Sequence, residues 1–109
     1  MAEVTGDQLL RVLSALGSGP RLRIVASLVP GRNYVSQMAR DLQISRPLLH
    51  LHLQRLEKAG LVHGTLELSD DGKAMKFFEV TQFAISLTPA QIAKAVETLS
   101  DDEDKGEGA

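Results

Sequence analysis

No cysteine and no tryptophan occur in the chain. The missing thiols exclude disulfides, thiolate metal sites and thiol switches. Aromatic residues make up only 4% of the sequence, so a core must come from Leu, Val, Ile and Ala. No apolar run approaches the roughly 18 residues a membrane-spanning helix needs, so no membrane partner is expected. Residues Met1 to Leu10 put no basic region ahead of an apolar stretch, so no secretory leader is expected. The chain reads as soluble and cytoplasmic. Catalytic signatures are missing too: there is no nucleophile elbow, no phosphate-cradling glycine loop and no HExxH. Ser36 and Ser45 have no histidine at triad spacing and fit helix caps better. Neither an enzymatic activity nor a cofactor is expected.

A positive net charge is also lacking, since 12 basic residues face 14 acidic ones for a formal charge of −2. The acid is concentrated at one end. Residues 100–109 hold Asp101, Asp102, Glu103, Asp104 and Glu107 against Lys105 alone, which leaves 11 basic and 9 acidic groups, or +2, on residues 1–99. Between positions 32 and 58, Arg32, Arg40, Arg46, Arg55 and Lys58 outnumber Asp41 and Glu57. That is a light basic footprint, better suited to nucleic acid as a dimer than as one copy.

The chain is organised around Tyr34 to Val62. Val35, Met38, Ala39 and Leu42 recur at spacings of three and four, the mark of a short helix with one apolar face. After Gln43-Ile44, the Ser45 hydroxyl can cap a second helix. That helix carries Leu49, Leu53 and Leu56 and ends at Ala59-Gly60, where glycine can take a left-handed conformation. Two helices joined by so short a turn form a helix-turn-helix, whose second helix normally enters the DNA major groove. Directly afterwards Val62, Gly64, Leu66 and Leu68 alternate with polar residues, predicting a half-buried strand. Ser69-Asp70-Asp71-Gly72-Lys73 supplies turn chemistry. Met75 to Val80 then returns, with one of the adjacent Phe77 and Phe78 forced away from the core, and the alternation runs on through Phe83, Ile85 and Leu87. This is a winged helix.

Before it, Thr5-Gly6-Asp7-Gln8 fits a capping box. It opens a helix whose apolar face, Leu9, Leu10, Val12, Leu13 and Leu16, is wider than one partner helix needs. Either a subunit interface or a well-wrapped core helix would look this way. Pro20 opens a second helix with Leu22, Ile24, Val25, Leu28 and Val29. Its Arg21 and Arg23 read as solvated charges that could also meet phosphate. Asn33-Tyr34-Val35 is extended enough to add a minimal third strand. Thr88-Pro89-Ala90-Gln91 begins a last helix with a second capping box, with Ile92, Ala95, Val96 and Leu99 along one stripe. The expected fold is mainly α with a small antiparallel β wing, in the order α-α-α-α-β-β-α. One domain spans residues 5–99, and 100–109 form a disordered acidic tail.

With LGSGPRLRIVASL ahead of the helix pair, LQISRPLLHLHLQRLEKAGLV within it and KFFEVT after it, the sequence resembles the ArsR-like winged-helix transcriptional regulators over roughly residues 9 to 99. The resemblance implies a sequence-specific DNA-binding regulator, often a repressor. Family members pair through their first and last helices. This implies a homodimer interface of Leu9, Leu10, Val12, Leu13 and Leu16 with Ile92, Val96 and Leu99. In the family's recognition helix a Ser is followed by small polar residues that reach bases. Here Ser45 keeps the cap, Arg46 takes the next place, and Pro47 and Leu48 replace polar residues. His50 stands where a Ser commonly contacts DNA, and His52 matches a His often found just before the core leucine.

Double-stranded DNA is therefore the expected partner, with the helix over 45–59 in its major groove. Arg46 can bond bidentate to guanine, or clamp phosphate. His50 faces DNA or is a plain surface histidine. His52 fits a partly buried, hydrogen-bonded histidine better than a base contact. Arg40, Gln54, Arg55 and Lys58 are phosphate-contact candidates, as are Lys73 and Lys76 at the wing, where Asp70 and Asp71 oppose them. Leu48 and Leu51 meet thymine methyls or, if the chain is a protein-interaction module that reads no DNA, a protein partner. A third reading is a small-molecule sensor with a dimer pocket lined by residues 9–16, 83–87 and 92–99. Many family members sense metals. Here the only histidines are 50, 52 and 63, and His50 and His52 point about 200° apart on a helix, so they cannot share one ion. No metal site is expected.

Overall fold

The computed structural model describes residues 4–101. In chain order its elements are α1 (Gly6–Leu16), α2 (Gly19–Leu28), β1 (Asn33–Tyr34), α3 (Val35–Leu42), α4 (Arg46–Lys58), β2 (Val62–Leu68), β3 (Ala74–Val80) and α5 (Pro89–Val96). The helix and wing order is the expected one, and Asn33–Tyr34 supplies the third strand. The sheet runs β1-β3-β2, all antiparallel, with Tyr34 opposite Phe77 and Val62 opposite Val80. Among the described residues no helix is long and apolar enough to cross a membrane.

Local chemistry explains most boundaries. The Thr5–Gln8 capping box is complete: the Gln8 N–H donates to the Thr5 hydroxyl at 3.1 Å and the Thr5 N–H to the Gln8 amide oxygen at 2.9 Å. Ser18 caps α2 ahead of Pro20, and Thr88 caps α5 by accepting the Gln91 N–H. α3 departs from expectation. Its N-cap is Tyr34, which makes no side-chain cap bond, so Ser36 lies inside the helix and is no cap. The chain enters α3 from the sheet, and the strand fixes the entry that a cap would otherwise fix.

The core joins Val12, Ile24, Leu28, Met38, Leu49, Leu53, Leu56, Leu61 and Phe78, so every helix of the first four contributes to one cluster. Two apolar patterns depart from their expected burial. Val62 is buried, but Leu66 and Leu68 farther out on β2 are exposed, because the helices lie under the base of the wing only. The alternation past Val80 does not continue as strand. Val62 opposite Val80 is the last pair, and the residue before Val62 turns into α4, so 81–88 have no neighbouring strand left. Phe83 and Ile85 instead pack against the core as an irregular strap, with Leu87 exposed.

α1 and α5 close together at one end. Gly6 donates its N–H to the Thr98 hydroxyl at 2.8 Å, and Ser100 donates to Asp7 at 2.9 Å. A Cβ on Gly6 would fall onto the Ala95 carbonyl oxygen, so this crossing requires glycine. The acidic tail beyond Asp101, expected to be disordered, lies outside the described residues.

Candidate nucleic-acid interface

The turn between α3 and α4 is made without glycine. Gln43 takes a left-handed conformation (φ 57°, ψ 48°) and its N–H turns back onto the Ala39 and Arg40 carbonyls. Ile44 donates to the Ala39 carbonyl at 3.1 Å and plugs partly into the core. Ser45 then accepts the Leu48 N–H at 3.3 Å, and Pro47 sits in the first turn, where its missing N–H costs nothing. α4 leaves this turn in a fixed direction.

Its inner spine is Leu49, Leu53 and Leu56, each at most 1% exposed. Everything the sequence marks for DNA on this helix is on the other side: Ser45, Arg46, Pro47, Leu48, His50, Leu51, Gln54 and Arg55 are all exposed. Arg40 is exposed on α3 and donates to the Gln37 amide at 2.6 Å; Gln37 in turn donates to Asp41 at 2.7 Å. Leu48 is 44% and Leu51 60% exposed, so the presented face is mixed, apolar beside cationic.

Two groups have structural partners the sequence did not reveal. Arg32, counted with the basic patch, forms a two-point ion pair with Glu67 of β2 and lies 4.1 Å from the Phe77 ring centroid. Its charge therefore belongs to the wing's own packing. Arg21, read as a solvated charge, fastens three helices. Its Nε donates to the Ala15 carbonyl at 2.6 Å, one Nη reaches the Ser14 carbonyl at 3.4 Å, and the other lies 3.1 Å from His52 Nδ1 on α4. The signal was available: α1 has no basic residue in its last turn, so its terminal carbonyls need a donor from elsewhere. His52 is half-buried as expected. Burial first, and then the Arg21 and Arg55 cations, hold its pKa below the ordinary histidine value.

The wing is held to α4 at its base. Glu57 accepts the Gly64 N–H at 3.2 Å, and the Thr81 hydroxyl donates to the Gly60 carbonyl at 2.8 Å. Gly60 itself takes the left-handed conformation (φ 78°) expected of it. At the tip, Ser69 hydrogen-bonds Asp71 and accepts the Lys73 N–H. The Ser69 hydroxyl first, and then backbone N–H groups of Lys73 and of Asp71 itself, bond the Asp71 carboxylate, hold its pKa below its ordinary value and keep the tip anionic. Lys73 at the end of the turn and Lys76 on β3 are both exposed, with the Lys76 ammonium 5.6 Å from the Phe78 ring centroid. Among the described residues, no three His, Asp or Glu side chains gather as metal ligands would.

Of the apolar residues on α1 and α5, Leu9 and Val12 are buried within the chain and Leu16 is half-buried. Leu10, Leu13, Ile92 and Val96 are exposed, as is Leu99, which lies past the end of α5 at Val96 and so outside the expected helical stripe; the five range between 39% and 55%.

A helix-turn-helix braced by leucines and followed at once by a sheet flap defines a winged helix-turn-helix protein. Residues 18–63, from the α2 cap to the first residues of β2, match the family model described as the bacterial regulatory protein, arsR family. Over those residues the helix-turn-helix is of the ArsR-family type, and the relatives that match the chain are named as transcriptional regulators. An uncharacterized HTH-type transcriptional regulator of Methanocaldococcus jannaschii is 29% identical over 83 residues, 76% of this chain and 86% of the relative. An HTH-type transcriptional regulator of Mycobacterium tuberculosis is 44% identical over 52 residues, 48% of this chain and only about half (49%) of that relative's length. The fold also matches the solution structure of a homodimeric winged helix-turn-helix DNA-binding domain from Mycobacterium bovis, a possible ArsR-family regulator. That match has a TM-score of 0.61 and 28% identity, covering 68% of this chain and 64% of that one.

Proposed function

We propose that the chain is a homodimeric DNA-binding repressor that lays α4 in the major groove. Residues 5–99 act as one unit, in the cytoplasm where its DNA lies. The observation that supports this most is the division of α4 into a leucine spine wholly withdrawn from solvent and a face on which Arg46, His50, Gln54 and Arg55 are all open. Arg46 in the first turn reads a guanine edge, with Leu48 and Leu51 against thymine methyls. Arg40, Arg55, Lys73 and Lys76 contact phosphates. The exposed leucines, isoleucine and valine of α1 and α5 pair with a second copy, as the homodimer of the Mycobacterium bovis domain suggests.

In vitro selection of bound genomic fragments, followed by mobility shift at several salt concentrations, tests this reading. The expected product is a two-fold-related site with half-site centres about 34 Å apart, bound more weakly as salt rises. Binding that stays at the non-specific background on every fragment would sink it. Exposure of Leu48 and Leu51 favours one rival, a winged helix that docks a protein. That rival expects polar replacement of both leucines to abolish partner capture while leaving DNA affinity as it was.

A further inference from the structure

We propose that the cleft between α1, the foot of α4 and the 83–85 strap is a binding site for a small amphipathic carboxylate: one anionic head on an apolar body. The cleft measures about 420 Å³ and opens to solvent. That is the size of a small-molecule site, typically about 300–1,000 Å³. Its inner wall is apolar, made of Val12, Leu61, Phe83 and Ile85, all held by the core and therefore already in place before anything binds. Its rim carries Arg11 from α1 and Lys58 from α4. Among the described residues no carboxylate lines the cleft, and neither cation has an ion-pair partner.

An apolar floor with a two-cation rim selects against neutral and cationic ligands. An anion here would meet the C-terminal carbonyls of α4, whose partial negative charge opposes it, and Lys58 offsets that charge. Arg11 then supplies the planar, two-donor grip that a carboxylate matches. The floor also includes Leu61, next to the left-handed Gly60, whose carbonyl Thr81 holds. A bound ligand therefore joins α1 to the junction of α4 and the wing. That regulatory consequence rests on the DNA-binding reading; occupancy of the cleft does not.

Decanoate, titrated into the full chain by calorimetry and thermal shift, is the probe, with decanol and acetate beside it. Decanoate should bind once per chain and raise Tm, while decanol, acetate and the variants Arg11→Gln and Lys58→Gln each lose about tenfold or more in affinity. Arg23→Gln, an exposed arginine outside the cleft, should bind as the parent does. Both cleft substitutions are at exposed positions, and circular dichroism checks that they fold. Decanol binding as tightly as decanoate, or cleft variants binding unchanged, overturns the site. On a selected DNA fragment, saturating decanoate should shift affinity about fivefold. An unchanged DNA affinity overturns the regulatory consequence. Absence of any DNA binding fails the regulator reading instead, and the site then stands or falls by calorimetry alone.

Discussion

Arg21 illustrates how one side chain can be structural and electrostatic at once. Its guanidinium has only donors, so the nitrogen of His52 facing it must be an acceptor, and His52 is therefore neutral with its proton on Nε2. Protonating Nδ1 would place two donors face to face. With its folded pKa held low, His52 takes up a proton less readily folded than unfolded. Its contribution to stability is then complete above the unfolded value of about 6.5 and is lost as pH falls through and below it. Substituting His52→Gln keeps an acceptor but removes the titration. Parent and variant should diverge in Tm as pH drops from 7.5 toward 5, with the parent losing more. His50 and His63 are common to both and cancel; parallel Tm curves would refute the argument. A second residue-scale expectation concerns Arg46 and Arg40. If Arg46 reads a guanine, Arg46→Ala should cost about 1–3 kcal/mol on the selected site and relax preference at one position. Arg40→Ala should weaken all sequences alike and flatten the salt dependence, as a phosphate contact would. Mobility shift on cognate and scrambled duplexes separates the two.

At the scale of elements, the turn between α3 and α4 decides where the recognition face points, and it rests on Gln43. A left-handed conformation costs an ordinary L-residue about 1–2 kcal/mol, and a β-branched one more. Gln43→Gly should therefore be neutral or stabilising in urea denaturation, whereas Gln43→Val should lose about 1–2 kcal/mol or more. Equal stability of the two variants would show that the turn relaxes. This turn also marks the limit of what the sequence discloses. Helix spacing, the Thr5 and Ser45 caps and the glycine at position 60 were legible because each depends on neighbours within four residues. The third strand at Asn33–Tyr34 was legible too. Gln43 was visible as a break but not as a left-handed residue, because nothing in its side chain demands that conformation. The fates of Leu66, Leu68 and the 83–87 stretch were hidden for another reason. Period-two alternation reports that one face is apolar, not whether another element lies beneath it. Arg32 escaped because its partner Glu67 lies 35 positions away; for Arg21 the uncapped end of α1 was a local signal, but its His52 partner lies 31 positions away.

For the whole molecule, the question is what covers α1 and α5. α1 is already tied to the chain just past α5 by the Gly6–Thr98 and Ser100–Asp7 hydrogen bonds, and Leu9 of α1 and Ala95 of α5 are buried. Leu10 and Leu13 on α1, Ile92 and Val96 on α5 and Leu99 just past the end of α5 remain in solvent. Full burial of such a side chain contributes about 1.5–3 kcal/mol, and about half of each remains to be covered here, so five from each of two copies can still offset the entropy lost on association. The DNA reading needs the same pairing: one copy offers few free cations once Arg32 is committed to Glu67, and a net charge of −2 gives no long-range attraction. Dimerisation and DNA affinity should therefore fail together. A Leu13→Glu, Val96→Glu double variant places two carboxylates in each half of the proposed interface, with neither residue in the chain's own core. Sedimentation should find it monomeric at concentrations where the parent is dimeric, with circular dichroism unchanged. Its affinity for a two-half-site duplex should fall to about that of the parent for a single half-site. If the double variant stays dimeric, or turns monomeric yet still binds the full site as tightly, α1 and α5 do not form the interface and the two α4 helices are brought together in some other way.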